Sequence, residues 1–264
     1  MSSERNPGTF DFQGRRVLVT GASHGIGFAV AMAFARCGAT LAILSGTADI
    51  LNSAERIRDK TGADVAARIC DIADGAAVRS AVGTLGRIDV LVNNAGLERM
   101  TPMAEEGSAV EETFARIIQI NVVGTYYVTR AALPLMPTGS SIVITSSVWG
   151  KSAAAGFAAY VASKHANIGF MRVLAKEVGP RGIRVNAVCP GWVRTRAAMR
   201  SLKEVSASAD MSEDAMLDEI LGAQALTGLM EPDDVVDLYL FLASDHARNM
   251  TGQAINVDRG ELMI

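Results

Sequence analysis

The chain has 264 residues, 49% of them hydrophobic and 20% charged, a balance that excludes a disordered chain and suits a compact fold with much buried aliphatic surface. Lys and Arg number 25 against 28 Asp and Glu, a net charge of −3 with no basic run able to neutralise a phosphate backbone, so nucleic acid is not expected as a partner. Cys37, Cys70 and Cys189 are odd in number, far apart and set in aliphatic sequence, and so read as buried thiols of a reducing compartment, neither a disulfide frame nor a metal site.

In chain order, residues 1–10 carry an acid, a proline and no apolar core, which excludes a secretory signal there, and no later apolar run approaches the roughly 18 residues of a membrane span. A cytoplasmic protein off the membrane is expected. Arg16–Thr20 reads as a strand, a glycine cluster as a turn, and Phe28–Arg36 as a helix. The alternation repeats: strand Thr40–Leu44 and helix Ala48–Lys60; strand Asp64–Cys70 and helix Gly75–Leu85; strand Ile88–Val92 and a long helical stretch ending near Leu133. Strand Ser141–Thr145, helix Phe157–Val178, strand Ile183–Val188, helix Asp233–Leu242 and strand Ala254–Val257 follow. Continuous aliphatic strands are those of a buried parallel sheet, and the strand–helix rhythm predicts an α/β, doubly wound sheet of about seven strands with helices on both faces. With no linker, residues 1–264 read as a single domain of Rossmann type. Strands ending at Thr20, Leu44, Cys70, Val92, Thr145 and Val188 bring their ends to one sheet edge, where open α/β folds bind ligands. Only residues 195–230 break the rhythm, and they read as a lid of one or two short helices over that edge.

The first turn, Thr20-Gly21-Ala22-Ser23-His24-Gly25-Ile26-Gly27, stands between a strand and a helix. Glycine lets a pyrophosphate approach the backbone, and the helix that follows presents free N–H groups and the positive end of its dipole, so a dinucleotide site is expected here. At the end of the second strand, where an NAD site usually carries an acid for the ribose 2′-hydroxyl, the chain has Ser45-Gly46-Thr47. Loss of the carboxylate removes a repulsion against a 2′-phosphate, and His24 lies close enough in sequence to help, so NADP(H) is favoured over NAD(H). No arginine holds the phosphate position, however, and Asp49 is available to a ribose.

Ser147 follows the fifth strand, and Tyr160 with Lys164 one helical turn further share a helix face. Lowering a tyrosine pKa by about 3 units needs roughly 4 kcal/mol, which one ammonium about 4 Å away supplies at an effective dielectric near 20. The pair suits general acid/base work, with Ser147 placed to hydrogen-bond the reacting oxygen.

At these residues the chain resembles the short-chain dehydrogenase/reductase family, from Arg15 to Gly260. Thr20–Gly27 is similar to its T-G-x-x-x-G-x-G, Asn93-Asn-Ala-Gly96 to its N-N-A-G, Ser147 with Tyr160 and Lys164 to its S…Y-x-x-x-K, and Pro190-Gly191-x-Val193-x-Thr195 to its P-G segment. Asn121 matches its fourth catalytic position. The resemblance implies a sheet ordered 3-2-1-4-5-6-7, NAD(P)(H)-dependent interconversion of carbonyl and alcohol without a metal, and commonly a homotetramer. It makes Tyr160 the proton donor and acceptor, Ser147 the orienting hydroxyl, and Lys164 the group that lowers the Tyr160 pKa and binds the nicotinamide ribose. Asn121 would hold a water linking Lys164 to solvent. Gly21, Ser23, His24, Gly25, Ile26 and Gly27 would cradle the cofactor, with Asp71 and Ile72 at its adenine, Asn93, Ala95 and Gly96 at its middle, and Pro190, Gly191, Val193 and Thr195 at its nicotinamide. One departure is Arg259, where the family often has a second-last glycine in V-D-G-G; it reads as a solvated side chain, a subunit contact or part of the pocket wall.

For the substrate, the stretches around Tyr160 and Cys189 resemble bacterial 3-hydroxybutyrate dehydrogenases, yet Glu98, Trp149 and Phe157 stand where those enzymes grip a carboxylate. Glu98 would repel a carboxylate and accept hydrogen bonds from hydroxyls, while Trp149, Phe157 and Trp192 offer flat apolar walls, so a small sugar or polyol is the first expectation. A 3-oxoacyl or acetoacetyl-type reductase or a 3-hydroxy-acid dehydrogenase is the alternative, and a non-catalytic NADP(H)-sensing protein the alternative of another class. Arg194, Arg196, Arg200 and Lys203 open the lid as a basic group available for anion gating or simply solvated, and Met199, Met211, Met216 and Met230 give it an adaptable apolar side or ordinary packing.

Overall fold

The computed structural model describes residues 10–264, so the expectation about a leader segment falls largely outside it. Its strands are β1 (Arg16–Thr20), β2 (Thr40–Ser45), β3 (Val65–Ile69), β4 (Val90–Asn93), β5 (Ser141–Thr145), β6 (Arg184–Pro190) and β7 (Ala254–Val257). All pair in parallel in one sheet ordered β3-β2-β1-β4-β5-β6-β7. The continuous aliphatic runs have a plain cause in this arrangement: successive side chains leave a strand on opposite faces, and both faces are covered. Val17, Val19, Val90 and Val92 pack against α1 (Gly25–Arg36), α2 (Asp49–Thr61) and α9 (Val236–Ala243), where Phe34, Ile50 and Tyr239 meet them. Leu18, Leu91, Ile142 and Ile144 face α3 (Gly75–Gly83), α5 (Thr125–Ala132) and α6 (Ala158–Val178), against Val78, Val128 and Met171.

The helix ends have local causes. Asp74 caps α3 by accepting from Ala76 N and Ala77 N, and Gly62 at φ +70° closes α2 in the left-handed region. The long helix expected straight after β4 begins only at Ser108, as α4 (Ser108–Ile118), and a π turn over Gln119–Gly124 joins it to α5. The delay arises from long-range pairing: Thr101 forms a bridge with Phe157, its N–H bonds Gly156 O at 2.7 Å, and its hydroxyl accepts from Ala159 N at 3.0 Å. The segment that breaks the rhythm folds as α7 (Arg196–Ser208) and α8 (Glu213–Gly222), and its two ends meet in the isolated Val193–Met230 bridge, beyond the end of β6. Among the described residues, no helix is long and apolar enough to cross a membrane.

Candidate active site

The turn after β1 leaves little room for any side chain. Gly21 sits at φ +67°, where an added Cβ would lie 2.7 Å from Ala95 Cα, and a Cβ on Gly27 would run into Gly21 O and the Asn94 amide. His24 precedes α1 in an extended conformation with no side-chain cap, so the first N–H groups of the helix face the cleft free for an anion. A cleft of ≈ 1390 Å³, open solvent included, runs from this turn past Ser45, Gly46 and Thr47 to Asp71 and Ile72 at one end and to Gly96, Tyr160 and Lys164 at the other. It thus brings together the residues expected to cradle a dinucleotide. Ser45 Oγ donates to Ser23 Oγ at 3.2 Å, and Ser23 Oγ lies 2.8 Å from His24 Nδ1. Burial lowers the His24 pKa, the Arg196 charge acts the same way, and Asp49 opposes both. At the other end Asp71 pairs with Arg116 (2.6 Å) and accepts from Ala73 N; burial alone would raise its pKa, and these bonds bring it below the usual value.

Tyr160 and Lys164 share one face of α6, with the ammonium 5.3 Å from the phenol ring centroid. Lys164 is 4% exposed and donates to Thr145 O at 2.8 Å; burial lowers its pKa to about 8, although Cys189 and Glu98 pull upward. The Tyr160 phenol is pushed far up by burial and then by the Glu98 charge, with Ser147 opposing. In this geometry the ammonium is turned to the Thr145 carbonyl, and burial is the main influence on the phenol. Ser147 caps the short turn after β5, accepting from Trp149 N at 3.2 Å. Asn121 lies in the π turn, wholly buried: its Oδ1 accepts from Leu97 N at 2.7 Å, and its Nδ2 donates to Leu97 O and Ser163 Oγ, each at 2.9 Å. Its side-chain amide thus pins the backbone after Gly96.

Next to Tyr160 a smaller pocket of ≈ 570 Å³, which shares Ile26, Glu98, Thr145, Tyr160 and Thr195 with the cleft, is lined by Ser147, Trp149, Pro190, Gly191, Trp192 and Val193 as well. Trp149 meets Trp192 edge-on (6.3 Å, 81°) and Tyr160 edge-on (6.0 Å, 85°). Burial raises the Glu98 carboxyl, while Ser201 and Lys164 favour its charged form. Arg200 from α7 donates to Glu98 O at 2.6 Å. Arg259, at φ +54°, donates to Thr227 O at 2.7 Å and so ties the carboxyl-terminal turn to the segment after α8.

Two expected residues stand elsewhere. Asn93 is 3% exposed and points into the core, donating to Thr129 Oγ1 at 2.9 Å, because adjacent side chains on a strand end take opposite faces. Asn94 is the one on the cleft: its Nδ2 donates to Thr20 O and Gly21 O (3.1 and 3.2 Å), and Thr20 Oγ1 accepts from Asn94 N and Ala95 N. The paired asparagines were the available signal. Phe157, 2% exposed, stands behind Trp149 at 4.9 Å and braces the pocket wall without forming it. Arg116 and Tyr239 carried no local sign of their positions; only the fold brings them to the cleft and to Thr145.

Residues 21–261 match the family model described as enoyl-(acyl carrier protein) reductase. The oxidoreductase UcpA of Salmonella typhimurium is 40% identical over 260 residues, 95% of each chain. Among solved structures, a short-chain dehydrogenase from Burkholderia cenocepacia in complex with NADP has a TM-score of 0.83 at 32% identity, covering 95% of this chain and 98% of that one. L-sorbose reductase from Gluconobacter frateurii, complexed with NADPH and L-sorbose, has a TM-score of 0.86 at 25% identity, covering 96% and 98%.

Proposed function

The chain belongs to the short-chain dehydrogenase/reductase family of oxidoreductases, and we propose that it uses NADP(H) in preference to NAD(H) to interconvert a sugar or polyol hydroxyl and its carbonyl. The observation that carries the reading is a single cleft joining the glycine cradle to Tyr160 and Lys164, with an aromatic pocket and one carboxyl, Glu98, alongside. The cradle suits a pyrophosphate because Gly21 and Gly27, packed too closely against Ala95, Asn94 and the Gly21 carbonyl to carry a side chain, keep the turn tight, and the uncapped N–H groups at the start of α1 are free for an anion. A nicotinamide held there supplies the hydride donor or acceptor. Tyr160 supplies the proton: in reduction the carbonyl carbon gains a hydride and its oxygen the phenol proton. Burial and Glu98 favour the neutral phenol, which suits a proton donor. Ser147 holds the reacting oxygen, and Lys164 fixes the ribose side of the cleft. The hydroxyls of Ser23, Ser45 and Thr47, with the Arg196 charge near His24, support the 2′-phosphate; the absence of an acid at Ser45–Thr47 removes its main repulsion. Trp149 and Trp192 suit the C–H faces of a ring, and Glu98 suits a hydroxyl on the carbon beside the reacting one. Arginine-free aromatic walls give a carboxylate or a phosphopantetheine thioester little to hold, and the L-sorbose bound by the structurally similar L-sorbose reductase points the same way.

Fluorescence titration with NADPH and NADH, followed by a panel of ketoses, polyols, hydroxy acids and ketones at the nicotinamide absorbance band, tests the reading. Tight NADPH and turnover of a ketose or polyol are expected; binding of neither nucleotide overturns it. Tyr160→Phe should bind NADPH unchanged and lose turnover. Glu98→Ala should raise KM for the polyol about 10- to 100-fold, the worth of a hydrogen bond to a charged group, and spare simple ketones.

A further inference from the structure

Tyr239 is the largest fully buried side chain among the described residues and belongs to the otherwise apolar run 238–243 of α9, on the sheet face away from Tyr160's helix. Its hydroxyl lies 2.9 Å from Thr145 Oγ1. Thr145 is the last residue of β5, and its other two polar contacts both lead to the cleft. Its carbonyl accepts the Lys164 ammonium at 2.8 Å, and its hydroxyl donates to Asn94 Oδ1 at 3.3 Å.

The proton positions along this chain are determined by its far end. Asn94 Nδ2 faces two carbonyls, Thr20 O and Gly21 O, which accept only, so the amide oxygen must be the atom turned to Thr145. An amide oxygen accepts only, so Thr145 donates its single hydroxyl proton there, and Tyr239 must be the donor to Thr145. A directed series of hydrogen bonds therefore runs Tyr239 to Thr145 to Asn94 and, from the Asn94 amide, to the Gly21 peptide. Burial keeps the Tyr239 phenol protonated, as donation requires.

We propose that Tyr239 is a positioning residue that acts through the sheet: by fixing the Thr145 hydroxyl it holds the Asn94 amide and the first peptide of the glycine turn in the geometry that binds the nicotinamide cofactor. A buried tyrosine needs some partner; this one takes the residue on which the Lys164 anchor and the glycine turn both depend. The inference rests on the reading of the cleft as a dinucleotide site.

The test is the NADPH dissociation constant, read by fluorescence without turnover. Tyr239→Phe removes one hydroxyl and should raise it about three- to tenfold, the worth of one neutral hydrogen bond. Thr145→Val, which keeps the shape and loses the relay, should give the same defect or more, and Thr145→Ser, which keeps the hydroxyl, should bind as the unaltered chain does. The Tyr239→Phe/Thr145→Val double variant should be no weaker than Thr145→Val alone, because both changes break one series. An NADPH affinity within twofold of the unaltered chain in Tyr239→Phe, with or without a lower Tm, overturns the proposal. If Tyr239→Phe does not fold, equal affinities for Thr145→Val and Thr145→Ser overturn it instead. Failure of the unaltered chain to bind NADPH or NADH overturns the dinucleotide reading and this proposal together, a result separate from a bound cofactor that ignores the Tyr239 hydroxyl.

Discussion

Lys164 is an ammonium enclosed almost completely, and its burial has a sign that can be measured. Its pKa falls from 10.5 to about 8, so between those values the unfolded chain keeps a proton that the folded chain has released. The unfolded state binds more protons in that window, and stability carried by this group rises with pH from about 8 to 10.5. Below pH 8 both states are charged and the full cost of burial is felt. Lys164→Met, which fills the space without the charge, should therefore exceed the unaltered chain in stability at pH 7 by on the order of 3 kcal/mol, and the gap should close toward pH 10.5. Denaturant midpoints at the two pH values check this; a gap that does not narrow would show that the ammonium is not the cause. At the same residue scale, Ser147, Tyr160 and Lys164 stand together beside the cleft as their strand-end and one-turn positions in the sequence suggest. Asn93 was chosen over Asn94 because a pair of identical residues does not say which one faces the cleft, and Phe157 was taken for a wall because burial behind another ring leaves no local mark.

At the level of elements, the glycine turn and the π turn do what regular structure cannot. The π turn shifts Asn121 into reach of both polar groups of Leu97, and Thr125 Oγ1 satisfies the Asn121 carbonyl at 2.8 Å. Neither the extra residue in this turn nor the late start of α4 was visible in sequence, since both are set by partners 24 to 58 positions away in the chain. The glycines were visible, and two of them separate crowding from backbone strain. A methyl on Gly27 meets Gly21 O and Asn94, whereas one on Gly62, at φ +70°, meets nothing within 4 Å. Gly62→Ala should cost about 1–2 kcal/mol of left-handed strain and leave NADPH affinity unchanged. Gly27→Ala should cost about 1–3 kcal/mol by overpacking and weaken NADPH at least tenfold, because the clash falls on the cradle itself. Thermal melts with fluorescence titration of both variants decide it; equal affinities would mean that the turn is not the phosphate site.

For the whole molecule, the sheet and its two covered faces were legible from alternating aliphatic and helical runs, while the strand order came from family resemblance, since parallel pairing between distant strands leaves no local trace. Residues 195–230 were legible as a break in that rhythm, and their attachment is unlike that of the sheet. Met216 is the one buried residue of α8, while α7 buries Leu202 with two serines. The segment is held by the Val193–Met230 bridge, by Arg200 on Glu98 O, by the Arg259 bond to Thr227 O and by an exposed Arg194–Glu231 pair at 2.7 Å. An exposed pair contributes about 0–1 kcal/mol, so little apolar burial and a few polar ties hold this part, and it should open at lower free energy than the sheet. Since Glu98 and Ala198 line the pocket, an occupant there adds contacts to α7 that the free chain lacks. Limited proteolysis read by mass spectrometry should make its first cut within the described residues between 195 and 230. NADPH with a ketose or polyol substrate should slow that cut more than NADPH alone, and Arg200→Ala should speed it several-fold with the sheet still folded. A first cut inside a strand or in α6, or a rate indifferent to substrate, would mean that α7 and α8 belong to the same cooperative unit as the sheet and do not close over the pocket.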